Sequence, residues 1–249
     1  MSSTALDDAL ICKGCWDQMR MPVPIRGPLA LPFRIVGITR SKMNPNICTI
    51  CERSFSYVKK QRHVSAVVTM LFADIRGYTQ LSERIDPLVL GELVSGFQDQ
   101  CAQAIWRHDG IVNKQMGDGL MAIFNFPIRI ERHAEAAVAA AIDLQMRCGE
   151  VLRELMTRLD EAPPGGLGVG VGVHTGQVEI GEFSSVRSDF TAIGGTVNLT
   201  ARLESKAAAG EILVSAEAAQ QAGDLIAGAT TRKLDLKWIE QAVVAHVLN

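Results

Sequence analysis

From residue 63 onward the apolar residues recur in an order of periods that few folds satisfy. Residues 64–72 form a β-branched, apolar run that leads into Ala73-Asp74-Ile75-Arg76-Gly77, with Asp74 where the strand ends. Asp86-Pro87 then offers a helix N-cap and an N1 proline, and Leu90, Leu93, Val94, Phe97, Cys101, Ala104 and Ile105 follow at helical spacing. Residues 111–115 and 120–126 read as short strands around Met116-Gly117-Asp118-Gly119, which puts Asp118 at a hairpin tip. An Ala-rich helix over about 131–159 ends at Pro163-Pro164-Gly165-Gly166, and a strand over 167–175 comes next. Strand, helix, strand, strand, helix, strand is the split βαββαβ order, an α+β arrangement with a mostly antiparallel sheet.

That order predicts a ferredoxin-like domain over residues 63–249. Further elements are a strand over 178–181 reached by a turn at Gly176, a short helix carrying Asn198 and Arg202, and terminal strands near Ile212 and over 233–247. Residues 1–62 differ: they are rich in Pro and Cys, show no sustained period, and read as a loop-rich module. Residues 1–65 hold ten Lys/Arg against four Asp/Glu, so the net charge of −2 hides a basic start and an acidic remainder. A basic segment can bind nucleic acid or an anionic membrane surface, or dock on its own acidic domain; self-docking or solvation is the expectation. Aromatic residues among the basic positions are few (Trp16, Phe33, Phe55, Tyr57), which disfavours a nucleic-acid platform. No apolar run reaches the roughly 20 residues needed to span a bilayer, and the start lacks signal-peptide character, so a soluble, cytoplasmic chain is expected.

Two Cys-x-x-Cys pairs, Cys12/Cys15 and Cys48/Cys51, can offer four thiolates to one tetrahedral ion, which suits structural Zn²⁺; an iron–sulfur cluster and a metal-free thiol switch are the alternatives. Cys101 and Cys148 fall on helical faces and read as core. In the domain itself, adjacent central strands bring Asp74 beside the hairpin that carries Asp118. Two carboxylates at one sheet edge repel each other unless hard cations such as Mg²⁺ or Mn²⁺ lie between them.

Phe72-Ala73-Asp74-Ile75-Arg76-Gly77-Tyr78-Thr79, Lys114-Gln115-Met116-Gly117-Asp118 and Phe190-Thr191-Ala192-Ile193-Gly194-Gly195-Thr196-Val197-Asn198-Leu199-Thr200-Ala201-Arg202-Leu203-Glu204 occur in that order. Over about residues 66–247 the chain resembles the class III nucleotidyl cyclases. The resemblance implies conversion of ATP or GTP to the 3′,5′-cyclic monophosphate and pyrophosphate. It implies that Asp74, Asp118 and the carbonyl of Ile75 hold two Mg²⁺ or Mn²⁺ ions, and that the amides around Gly77, Tyr78 and Thr79 cradle phosphate. Asn198 would orient the ribose and Arg202 neutralise the α-phosphate; Lys237, followed by Trp238 where a glycine is usual, aligns with a lysine that grips the terminal phosphates. Lys114 and Thr191 fall at the base-reading positions, where Lys favours adenine, so ATP is the expected substrate, with guanylate cyclase activity or a catalytically silent regulator as the rivals. A head-to-tail homodimer is implied, because the metal carboxylates of one subunit would face the base-reading, Asn and Arg residues of the other. His174 falls on a family motif in which it shapes a strand turn, without a catalytic part.

Overall fold

The computed structural model describes residues 9–53, 63–157, 166–183, 190–236 and 242–249. Its centre is β1 (His63–Arg76), paired antiparallel with β3 (Gly119–Phe124) on one side and β4 (Gly168–Glu182) on the other, while β2 (Ile111–Met116) pairs with β3 at the edge. The order β2-β3-β1-β4 is what a split βαββαβ unit requires. Beyond β4 the sheet continues through β6 (Ile212–Ser215), parallel to β4, then β8 (Val243–Leu248) and β7 (Thr230–Leu234), and β5 (Phe190–Ile193) folds back along β4.

The helices are α1 (Lys13–Met19), α2 (Leu31–Ile35), α3 (Thr49–Arg53), α4 (Tyr78–Ser82), α5 (Pro87–Arg107), α6 (His133–Met156), α7 (Gly195–Lys206) and α8 (Ala216–Ala219). Helix α5 starts as its sequence dictates, with the Asp86 side chain accepting from the Leu88 N–H and Pro87 in the first turn. The pleat of β1 divides the interior in two. Leu71, Ala73 and Ile75 join the cluster under α5 and α6. Val68, Met70 and Phe72 point the other way and share a second cluster with Cys12, Cys15, Cys48 and Cys51, with Val197 and Ala201 of α7 at its margin. By register Asp74 lies on this second face, one step beyond Phe72.

The cysteine module therefore lies on the face of the sheet that carries Asp74. Lys13 pairs with Asp109 at 2.8 Å, the Asn44 side chain donates to the Gly110 carbonyl at 2.7 Å, and Trp106 Nε1 donates to the Met43 carbonyl at 2.6 Å. The Met43 carbonyl also accepts from the Val112 N–H at 2.9 Å, covering part of an edge strand that would otherwise expose its backbone.

Several elements differ from the sequence reading. The strands expected over 167–175 and 178–181 are one strand of fifteen residues, with Gly176 in register opposite Val68 and no turn. Glycine is needed there for close approach: a Cβ on Gly176 would meet Thr196 Oγ1 at 2.5 Å, and one on Gly172 would meet the backbone of α7 at 2.4 Å. His174 accordingly shapes no turn. It is buried with Nδ1 2.8 Å from Ser215 Oγ, and burial lowers its pKa. The run expected over 233–247 is two antiparallel strands, β7 and β8; Asp74 precedes the end of β1 by two residues; and the loop-rich module contains three short helices. Cys101 and Cys148 are core residues, their sulfurs 3.5 Å apart between α5 and α6.

Candidate active site and metal centre

Strand β1 delivers Asp74 and the β2–β3 turn delivers Asp118. Antiparallel register sets Asp74 opposite Gly119, and the Ile75 N–H donates to the Asp118 carbonyl at 3.2 Å, so backbone bonds hold the turn against the strand. The two carboxyl groups lie within hydrogen-bonding reach of each other. Burial pushes the Asp74 carboxyl up, the charges of Asp118 and Glu204 add to this, and Arg76 only partly opposes it, leaving a pKa of about 7. Negative charge is thus concentrated beyond what the protein's own cations neutralise. That donor set, carboxylate oxygens with the Ile75 carbonyl beside them in sequence, fits hard divalent cations.

This geometry has a measurable consequence. Since the folded-state pKa of Asp74 lies above its ordinary value, its stabilising contribution is complete below about pH 4 and is lost as pH rises through about 7. In metal-free protein Asp74→Asn is expected to raise stability at pH 8 by roughly 1–3 kcal/mol, discounted for partial exposure, and to lose that advantage near pH 4. Thermal melts with a chelator across this range read the difference.

Two residues missed by sequence reasoning complete the acidic end. Arg76 Nη1 is 3.5 Å from Asp74 Oδ2, and Arg76 Nη2 donates to the Glu204 carbonyl at 2.7 Å and also pairs with the Glu204 carboxylate. Burial raises the Glu204 pKa, against the pull of Arg76. One arginine therefore ties the carboxylate strand to α7. The available signal was spacing: Arg76 shares a strand face with Asp74, and Glu204 follows Arg202 by two.

Asn198 and Arg202 lie four residues apart on α7, Asn198 exposed and Arg202 half-buried, and neither side chain makes a hydrogen bond or ion pair among the described residues. Gly194 occupies the N-cap position, so Asn198 is not a cap. Arg202 borders a cavity with Asp235 and Leu236; Lys237 lies outside the described residues. Gly77 has φ +82 at the start of α4, which carries Tyr78 and Thr79. A larger apolar cavity of about 560 Å³ between α6 and the sheet, lined in part by Ile142, Leu152, Leu167 and Ile212, contains none of the predicted residues.

At the base-reading positions, Lys114 follows a bulge at Asn113 and pairs with Met121, which places it on the same sheet face as Asp74. Thr191 Oγ1 donates to Asn113 Oδ1 at 3.4 Å, so Thr191 bonds to the residue that precedes Lys114. Asn113 was not singled out from sequence.

In the module, the ligand atoms of Cys12, Cys15, Cys48 and Cys51 all lie within 4.8 Å of one another, with neighbouring sulfurs 3.4–3.6 Å apart. The N–H groups of Cys15 and Cys48 donate to Cys12 Sγ at 3.3 and 3.2 Å. Bonds within the set push the Cys12 and Cys48 thiols down and the Cys15 and Cys51 thiols up. Four thiolates cannot coexist at one point without a cation. A tetrahedron with metal–sulfur bonds of about 2.3 Å has edges of roughly 3.8 Å, which the observed spacing matches.

The fold is a palm-like α+β domain whose central sheet brings two carboxylates, Asp74 and Asp118, to one edge. The adenylate and guanylate cyclase catalytic domain family matches residues 58–234, and the chain belongs to this family, the class III nucleotidyl cyclases. It is 32% identical over 139 residues to an adenylate cyclase of Anabaena cylindrica, covering 55% of this chain and 26% of that one. It is 29% identical over 170 residues to adenylate cyclase 1 of Rhizobium meliloti (strain 1021), covering 64% and 24%. The chain thus spans about a quarter of the length of these curated relatives. Among solved structures, the adenylyl cyclase CyaB from P. aeruginosa superposes with a TM-score of 0.68 at 28% identity, over 75% of this chain and 96% of that one. The guanylyl cyclase Cya2 superposes with a TM-score of 0.69 at 30% identity, over 75% and 93%. Among the described residues no helix is long and apolar enough to cross a membrane.

Proposed function

We propose that this chain is an adenylate cyclase that acts as a head-to-tail homodimer, converting ATP to 3′,5′-cyclic AMP and pyrophosphate. The observation that carries the reading is the meeting of Asp74 and Asp118 at one sheet edge, with a charge excess that calls for divalent cations. Asp74, Asp118 and the Ile75 carbonyl would hold two Mg²⁺ or Mn²⁺ ions. When bound, such ions lower the pKa of the ribose 3′-hydroxyl and neutralise the triphosphate. The chain's own residues position the reactants. Amides around Gly77, Tyr78 and Thr79 hold phosphate oxygens, Asn198 of the partner subunit orients the ribose, and Arg202 of the partner subunit faces the charge that builds on the α-phosphate. Both α7 side chains are uncommitted among the described residues, as groups awaiting a substrate should be. Lys237 is assigned to the terminal phosphates by motif alone.

The preference for ATP rests on hydrogen-bond polarity. Lys114 donates to adenine N1, whereas guanine presents an N–H there. With its proton directed at Asn113, the Thr191 hydroxyl keeps lone pairs for the exocyclic amine of adenine and has no donor for guanine O6. Lys114→Glu combined with Thr191→Cys is expected to lower the ATP-to-GTP ratio of kcat/KM by at least about tenfold. Parallel assays of the purified protein with ATP or GTP and Mn²⁺ test the whole reading. Cyclic AMP as the main product is expected; cyclic GMP as the main product would make the chain a guanylate cyclase, and neither product would make it a silent homologue.

For the cysteine module we propose a structural Zn²⁺ held by Cys12, Cys15, Cys48 and Cys51, within a module spanning residues 1–62. An iron–sulfur cluster places several irons and bridging sulfides between the thiolates and holds them further apart than a single-ion tetrahedron does. The short sulfur–sulfur distances support the single ion.

A further inference from the structure

Between Asp17 and Glu52 the module contains no acidic residue, yet it holds Arg20, Arg26, Arg34, Arg40 and Lys42. Within this basic stretch the chain folds so that Ala30 and Phe33 turn inward while Leu29, Leu31, Ile35 and Val36 are 75%, 61%, 80% and 71% exposed. The other exposed large apolar side chains of the described residues stand singly, at least five positions apart. Side chains this exposed cannot line a groove; they form a projecting tip on α2 and the turn before it. Basic groups close to the tip in sequence are also uncommitted. Lys13 docks on Asp109 and Arg26 bonds to Asn46, but Arg34, Arg40 and Lys42 make no side-chain ion pair among the described residues. Self-docking thus accounts for the near end of the basic segment and leaves its tip unexplained.

We infer that Leu29, Leu31, Ile35 and Val36, on the same basic stretch as exposed Arg34, Arg40 and Lys42, form a tip that inserts into the surface of an anionic lipid bilayer. Apolar side chains enter the boundary of headgroups and acyl chains, and the cations meet lipid phosphates; neither signal holds a protein there alone, and together they do. A bilayer is the occupant the chemistry favours, because the apolar residues face outward and the stretch of chain that carries them, residues 18–51, holds charge of one sign. Such a contact would anchor the domain at a membrane with no spanning helix.

Co-sedimentation of the full chain with phosphatidylcholine vesicles, with and without about one third phosphatidylglycerol, tests this. Binding to the anionic vesicles at least about tenfold stronger than to neutral ones is expected, falling severalfold between about 0.05 and 0.5 M salt. Leu31→Glu with Ile35→Glu should abolish sedimentation, and Arg34→Gln with Arg40→Gln and Lys42→Gln should remove its salt dependence. Both variants should keep the module's metal content and the melting temperature, since all these side chains are exposed and none is a metal ligand. Wild-type protein that stays in the supernatant with anionic vesicles would overturn the proposal. So would an L31E/I35E variant that sediments as wild type, or one that changes only the oligomeric state on sizing, which would make the tip a contact between copies.

Discussion

Asp74→Ala is expected to abolish cyclic-nucleotide formation, by roughly a thousandfold or more at saturating Mn²⁺, and to leave a chain that, with a chelator present, melts no lower than metal-free wild type. The first effect follows because Asp118 alone cannot hold two cations at the sheet edge. The second follows from the burial and charge repulsion that push the Asp74 carboxyl up to about 7: removing that group removes the penalty. The combination separates chemistry from folding, since a variant inactive through misfolding would melt lower. Asp118→Asn should show the same loss, with added Mn²⁺ unable to restore it. Activity within about tenfold of wild type in either variant would mean that the two carboxylates do not hold the catalytic ions.

The second large effect is expected at the four-cysteine cluster, the proposed zinc site. Cys48→Ser should lose the module's zinc and melt many degrees lower, because zinc affinity in such small units is folding free energy, of order 10 kcal/mol in isolated zinc-binding peptides. Activity should fall as well, although no catalytic residue is touched. The cysteines share an apolar cluster with Met70 and Phe72 of β1, and Val197 and Ala201 of α7 pack against that cluster. Loss of the metal therefore uncovers the support of the helix that carries Asn198 and Arg202. Zinc content per chain, melting temperature and kcat of the variant check this together; a zinc-free variant with wild-type melting and turnover would show the module to be dispensable to both.

The parts of this fold legible in the sequence were those written in local periods. The apolar run before Asp74, the Asp86-Pro87 cap and the Gly-Asp hairpin each specify an element by short-range chemistry, and their order leaves one topology. Gly176 was misread because a glycine needed for close approach looks the same in sequence as one needed for a turn; only the position of Thr196 on α7 tells them apart. Arg76, Glu204 and Asn113 act through partners 128 and 78 residues away in sequence, distances at which no period operates. The cysteine pairs announced a cluster of four sulfurs able to hold a metal. That their module covers the face of the sheet bearing Asp74 and α7 depends on the register of β1, which the sequence pattern leaves open by one residue in either direction.

The central claim is that the carboxylates of one subunit work with Asn198 and Arg202 of its partner. It is tested most directly by mixing two inactive variants, Asp74→Ala and Arg202→Ala, in equal amounts under conditions that allow subunit exchange. Half of the resulting dimers are mixed, and each mixed dimer has one site with both halves intact, so recovery of about a quarter of wild-type activity is expected. A mixture as inactive as its components, in a sample whose subunits are shown to exchange, would contradict the shared site.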